Sequence, residues 1–298
     1  MKKLLTNRIR RALHSLEALS GRKINIPAME FSLIDTCNLR CRQCATNAPS
    51  MKEANLPDIE EFKRSLALLS RIARCGELRF VGGEPTLNRG ICNFIRAAKE
   101  SGVFERIRVI TNGLLLSKMT DEFWQLADLV RISVYPATAE QFSEERLQPL
   151  RDIAAKFETE LDVVRDTEFF TATSDSRIND PNVLQKIFDD CGEAHGWSCH
   201  LLYRDRLFRC SRVPTLDRYL TNIEVNHENF TDEDCLLLND RPTLLNDLKN
   251  YLSSPKPLKA CSFCYGTSGP MLEHVQLTVQ DIRSKVVIKS HADETNST

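Results

Sequence analysis

The sequence predicts an α/β protein whose core is a parallel β-sheet with crossover helices. Short apolar runs and helical stripes alternate between residues 28 and 190, the pitch of repeated strand–helix units. Three polar or glycine-bearing motifs each follow a strand directly, where the working residues of barrel enzymes gather. At 298 residues the chain can bury roughly three-quarters of the surface its unfolded form exposes, enough for one large domain and a small appendage. Periodicity alone leaves two arrangements open, an open doubly wound sheet and a partly closed barrel.

Taken in order, residues 1–27 carry a helical stripe (Leu5, Ile9, Ala12, Leu13, Leu16, Leu19) closed by Gly21. Arg8, Arg10 and Arg11 interrupt any signal-peptide core. The expectation is an N-terminal helix outside the sheet, with a basic membrane-surface helix as the alternative. Phe31, Leu33 and Ile34 mark a buried strand, and Ala45 to Pro57 reads as a loop. Asp58 with Glu61 forms a capping-box pattern before a helix striped by Ile59, Phe62, Leu66, Leu69 and Ile72. Strand Glu77 to Val81 leads to Gly82-Gly83-Glu84-Pro85, and a helix bearing Ile91, Phe94, Ile95 and Ala98 stops at Gly102. Next come strand Ile107 to Ile110, the turn Thr111-Asn112-Gly113, a helix capped by Thr120, and strand Leu129 to Tyr135. The following helix runs to about Phe157, and Pro149 is expected to kink or split it. Strand Leu161 to Val164 and a short helix at Val183 to Phe188 complete the series, and the chain beyond Val287 is polar and aperiodic.

Forty basic and 41 acidic residues leave a formal charge of −1, so no long-range field draws the chain to nucleic acid or to an anionic membrane. No run reaches the ~18 apolar residues of a membrane span. Eleven cysteines are many for a cytoplasmic protein, and their clustering favours metal over disulfide. Cys37, Cys41 and Cys44 follow the first strand in a C-x3-C-x2-C spacing. Thiolates so close on one loop converge on one soft metal centre. Structural zinc takes four protein ligands, whereas three cysteines on a [4Fe–4S] cluster leave one iron open to a non-protein ligand.

That spacing, with Gly82-Gly83-Glu84-Pro85 after a later strand, resembles the radical S-adenosylmethionine (radical SAM) superfamily. The resemblance covers roughly residues 28–190 and implies a partial (β/α)6 barrel. It also implies SAM chelating the open iron of a [4Fe–4S] cluster, and reductive cleavage to a 5′-deoxyadenosyl radical that takes a hydrogen atom from substrate. An electron donor such as flavodoxin or ferredoxin is implied as partner. Gly82, Gly83 and Glu84 would meet the methionyl end of SAM, with Glu84 accepting from its ammonium group; Asn112 and Ser133 are candidates for the ribose. Each has a plainer alternative: the glycines a tight turn, Asn112-Gly113 ordinary turn chemistry, Ser133 a side chain pointing outward. Gln43 departs from the family, which often has an aromatic residue there against adenine.

From Cys191 the composition changes. Cys191, Cys199 and Cys210 precede a Cys261/Cys264 pair, and Leu201 to Cys210 reads as a hairpin turning at Arg204-Asp205-Arg206. This layout resembles the twitch, or truncated SPASM, extension of radical SAM enzymes, which holds one auxiliary [4Fe–4S] cluster. That family's pattern is C-x9–15-G-x4-C followed far later by C-x2-C. The glycine position here is Asp205; Cys191, with thirteen residues between, fits, and Cys199, with five between, does not. Both remain candidates, as does a zinc site built from the same thiolates. Cys75, Cys92 and Cys235 lack metal spacing and read as small hydrophobes.

The expected organisation is an N-terminal helix (1–27), a barrel core (28–190), an auxiliary-cluster region (191–280) and a polar tail (281–298). The expected function is a cytoplasmic radical SAM enzyme, an oxidoreductase or an epimerase, acting on a small polar, sugar- or aminocyclitol-like molecule. Two alternatives stand beside it: a SPASM-like maturase acting on peptides, and a non-catalytic Fe–S or zinc protein. No nucleophile–base couple stands out, so no general base is assigned.

Overall fold

In the computed structural model residues 23–283 are described. Most of the expected N-terminal helix and of the polar tail lies outside them, and from Ile24 onward the chain is already strand. Five strands, β1 (Ile24–Ser32), β2 (Ala73–Val81), β3 (Phe104–Thr111), β4 (Leu129–Val134) and β5 (Glu160–Arg165), pair parallel in sequential order. The connecting helices are α1 (Ile59–Ile72), α2 (Ile91–Glu100), α3 (Asp121–Leu126) and α4 (Glu144–Lys156).

Register decides which face each residue meets. Phe31, Phe80, Val109, Val130 and Leu161 are consecutive partners across the five strands, an apolar row on one face. That face packs in one core with Phe62, Leu66, Phe94, Ile95, Trp124 and Leu147 from all four helices. Phe31, Phe62 and Phe94 form its centre, with ring centroids 4.2 to 5.6 Å apart. The opposite face is charged: Glu77 accepts from Arg79 and Arg108, each at 2.9 Å, and Glu30 lies 3.9 Å from Arg79. Sequential strand order with the helices on one face is the barrel arrangement. A doubly wound sheet would reverse its order and bury both faces.

The sixth parallel strand, β7 (His200–Tyr203), joins at the other edge, beside β1. Between β5 and β7 the chain forms β6 (Glu168–Phe170), which pairs antiparallel with β10 (Met271–Glu273), and the expected short helix, over Pro181–Asp189. From β7 the expected hairpin turns back as β8 (Arg206–Phe208), followed by β9 (Cys235–Leu237) at the sheet edge. Arg204 and Asp205 both take positive φ at its turn. Their cost is offset by tertiary contacts: Asp205 accepts from Ser65 Oγ at 2.7 Å, and Arg204 donates to Asn55 at 3.0 Å.

Asp58 caps α1 by accepting from Glu61 N at 2.7 Å, and Thr120 caps α3 from Phe123 N. Pro149 does not split its helix, which runs unbroken from Glu144 to Lys156. Both Pro149 and Glu145, whose carbonyl loses its partner, are exposed, so water satisfies the freed acceptor. Among the described residues no helix is long and apolar enough to cross a membrane. Phe62→Ala, at the centre of the ring cluster, is expected to cost about 3–5 kcal/mol. A urea midpoint that falls accordingly, with unchanged slope, checks it.

Candidate active site

At the end of β1 the chain leaves the sheet as the cysteine loop, and two neighbouring strand ends fix its stem. Gly83 N donates to Ile34 O at 2.7 Å and Glu84 N to Thr36 O at 3.0 Å, so the turn after β2 is zipped to the stem backbone to backbone, and Asn88 Nδ2 adds a bond to Leu33 O at 2.7 Å. A Cβ on Gly82 would lie 2.1 Å from Ile34 O, and one on Gly83 2.1 Å from Thr36 O. No side chain fits between these backbones, and Gly82 also needs its φ of +146°.

Glu84 ties two turns together. Only 1% exposed, its carboxylate accepts from Thr86 N (3.0 Å), Thr86 Oγ1 (2.5 Å), Thr111 Oγ1 (2.6 Å) and Asn112 N (2.8 Å). Three of these bonds fall on Oε1 and one on Oε2, so most of its acceptor capacity is spent inside the fold. The side chain ties the turn after β2 to the turn after β3. Asn112, held there, donates through Nδ2 to Asn38 Oδ1 at 2.7 Å on the cysteine loop, with Cys37 Sγ 3.7 Å away. Gly113 is required at φ +78°, since a Cβ would meet Ile132 and Phe142 at 2.8 Å.

These groups line one cavity of about 320 Å³ at the C-terminal ends of the strands. Cys37, Cys41 and Cys44, Gly82 to Glu84, Asn112 and Ser133 all reach its wall. Leu39 N donates to Cys37 Sγ at 3.3 Å, and Gln276 Nε2 to Cys41 Sγ at 3.1 Å. Burial pushes the Cys37 thiol up to about 11 and Cys41 to about 12, so metal binding there must expel protons.

The profile of the radical SAM superfamily matches residues 31–188, more than half of the chain and the stretch that carries these motifs. The chain belongs to the radical SAM superfamily. Over 112 residues it is 32% identical to GTP 3′,8-cyclase of Heliobacterium modesticaldum, covering 37% of this chain and 34% of that protein. Over 103 residues it is 37% identical to the S-adenosylmethionine-dependent nucleotide dehydratase of Flammeovirga pacifica, covering 34% of this chain and 34% of that protein. The chain thus spans about a third of the length of the curated relatives it matches. Among solved structures, BtrN in complex with AdoMet and 2-DOIA aligns over 74% of this chain and 97% of that one, with 14% identity and a TM-score of 0.42.

Membership of the radical SAM superfamily brings a [4Fe–4S] cluster and SAM. The donor set suits them: three thiols on one loop, two of them met by N–H donors, as iron-bound sulfur prefers. Gln43, also on the cavity wall, has a buried amide oxygen without a partner. Among the described residues no three His, Cys, Asp or Glu side chains are closed up around a single metal ion. The thiols of a four-iron group stand farther apart than that.

The later cysteines separate into two places. Cys191, Cys210, Cys261 and Cys264 line a second, smaller cavity, and Cys199 instead faces the main one. Arg212, buried beside the four, pairs with Glu193 at 2.5 Å and points Nη1 at Cys264 Sγ at 3.7 Å. Its Nε is buried without a partner. Glu193 borders both cavities. In the main cavity, burial and the nearby Glu193 raise Glu30, which sits beside Cys199. Asp35 pairs there with Arg218. Sequence reasoning missed Glu30, although a lone charge in the run Ile26 to Leu33 was a visible signal. Nothing local marked Arg212, Glu193 or Gln276.

Glu84→Gln places an amide N–H against one of the donors that the carboxylate satisfies. The expected loss is about 1–3 kcal/mol of stability in the metal-free protein. An unchanged urea midpoint would show that Glu84 does not carry the turn.

Proposed function

We propose that this radical SAM enzyme takes a hydrogen atom from a small polar, hydroxyl-bearing molecule, leading to oxidation or epimerisation. Cys37, Cys41 and Cys44 would hold the cluster, with its open iron free for SAM; one electron passed from the reduced cluster would break a C–S bond of SAM, giving methionine and the 5′-deoxyadenosyl radical. The convergence of the cysteine loop, the Gly82-Gly83 turn, Asn112 and Ser133 on one cavity carries this reading. The glycine turn holds the loop through its backbone, Asn112 positions Asn38 beside Cys37, and Ser133 and Gln43 face the bound nucleoside. Farther along the wall, Glu30, Tyr203 and the Asp35–Arg218 pair face the substrate. A concave cavity of about 320 Å³ whose wall carries separate polar groups suits a small molecule better than an extended peptide.

Residues 191–280 form the auxiliary-cluster region in this proposal, with Cys191, Cys210, Cys261 and Cys264 as ligands. Cys199 is left out, because it lines the other cavity. The Arg212 guanidinium offsets the negative charge of four thiolates, and Glu193 stands between that centre and the substrate. A nucleotide substrate is the second reading, favoured by the names of the GTP 3′,8-cyclase and nucleotide dehydratase relatives.

Anaerobic reconstitution is expected to load about eight irons, two clusters of four. Dithionite and SAM should then release 5′-deoxyadenosine. Replacing Cys37, Cys41 and Cys44 by Ala should abolish that release and halve the iron. Cys261→Ala/Cys264→Ala should lose about four irons while release persists. Release by the triple variant would overturn the first site. One zinc lost from the double variant, with iron unchanged, would overturn the second.

A further inference from the structure

The far end of the chain returns to the cysteine loop. β10 pairs with β6, and the residues after it continue as an antiparallel strap along the loop. Arg42 N donates to Val275 O at 2.9 Å and Leu277 N to Arg40 O at 2.8 Å, with Cys41 and Gln276 as the bridged pair between them. The Gln276 side chain is fixed from both ends. Its Oε1 accepts from Arg40 N at 2.6 Å, so its Nε2 must be the group that faces Cys41 Sγ, at 3.1 Å. His274 stands on the same side. Its ring stacks on Tyr135 (4.9 Å, 11°) and meets Phe169 edge-on, and its Nε2 lies 3.1 Å from the same sulfur. Cys41 is thereby the most enclosed of the three loop cysteines.

We propose that Gln276 is a positioning residue for the SAM cluster, reaching Cys41 from the C-terminal strap. This rests on Cys41 being a cluster ligand. An N–H donated to a ligand sulfur stabilises the more negative, reduced cluster and so raises its reduction potential. It also fixes the direction of the thiolate, while the backbone bonds on either side fix the loop. The cluster site is therefore completed by a segment more than 200 positions away, and cluster loading is coupled to docking of the strap.

Two variants separate the donor from the strap. Gln276→Glu keeps an oxygen for Arg40 N but removes the donor to sulfur; Gln276→Ala removes both. In the metal-free, reduced protein, iodoacetamide modification of Cys41, followed by peptide mass spectrometry, reads docking alone. It should be slow in the native protein and in Gln276→Glu, and severalfold faster in Gln276→Ala. In the reconstituted protein, a redox titration of the EPR signal that responds to SAM reads the potential. It should fall in both variants. A potential unmoved in Gln276→Glu would overturn the proposal, as would native Cys41 reacting as fast as in Gln276→Ala. Absence of any SAM-responsive signal in the native protein would instead remove the reading of Cys41 as a ligand, whatever the alkylation shows.

Discussion

The site depends on one buried carboxylate and the two backbones it holds together. Glu84 accepts four hydrogen bonds, from Thr86, Thr111 and Asn112, in a position closed to water. A buried polar group is costly unless it is hydrogen-bonded, and these donors come from two different strand ends. With that joint in place, the turn after β2 lies against the stem of the cysteine loop at distances only glycine permits. The loop is thus positioned by the sheet, through backbone contacts, before any metal is considered.

Much of this was legible in the sequence because the relevant signals are local. Short apolar runs and helical stripes located β2 to β5 and the helices between them, and Asp58, Thr120 and Gly102 marked ends that the structure confirms. β1 instead ends at Ser32, so that Leu33 and Ile34, read as part of it, already belong to the stem of the loop. The Arg204-Asp205 turn was also read correctly, although its positive φ angles are sustained by Asn55 and Ser65 from elsewhere. What the sequence withheld was long-range. No local pattern shows that β7 joins the sheet beside β1, or that Gln276 lies against Cys41. The bonds of Glu84 within the fold were equally hidden, because its partners Thr111 and Asn112 belong to another strand end. Pro149 did not split its helix, because the carbonyl it frees is exposed.

The split among the later cysteines joins the two halves of the proposal. Spacing pointed to Cys191, and the fold puts Cys191 with Cys210, Cys261 and Cys264 while Cys199 faces the main cavity beside Glu30. Glu193 borders both cavities and pairs with Arg212 on the wall of the smaller one. The β7–β8 hairpin, which carries Tyr203 to the main cavity, pairs with β1 and continues into the segment bearing Cys210 and Arg212. The two sites are therefore held by one sheet.

Anomalous X-ray diffraction from crystals of the anaerobically reconstituted protein, recorded on both sides of the iron and zinc edges, tests the central claim most directly. The account predicts two iron peaks. One should be bounded by Cys37, Cys41 and Cys44 inside the main cavity, and the other by Cys191, Cys210, Cys261 and Cys264, with Cys199 bound to neither. An iron peak on Cys199, a zinc peak at the second site, or no iron at the cysteine loop would contradict it.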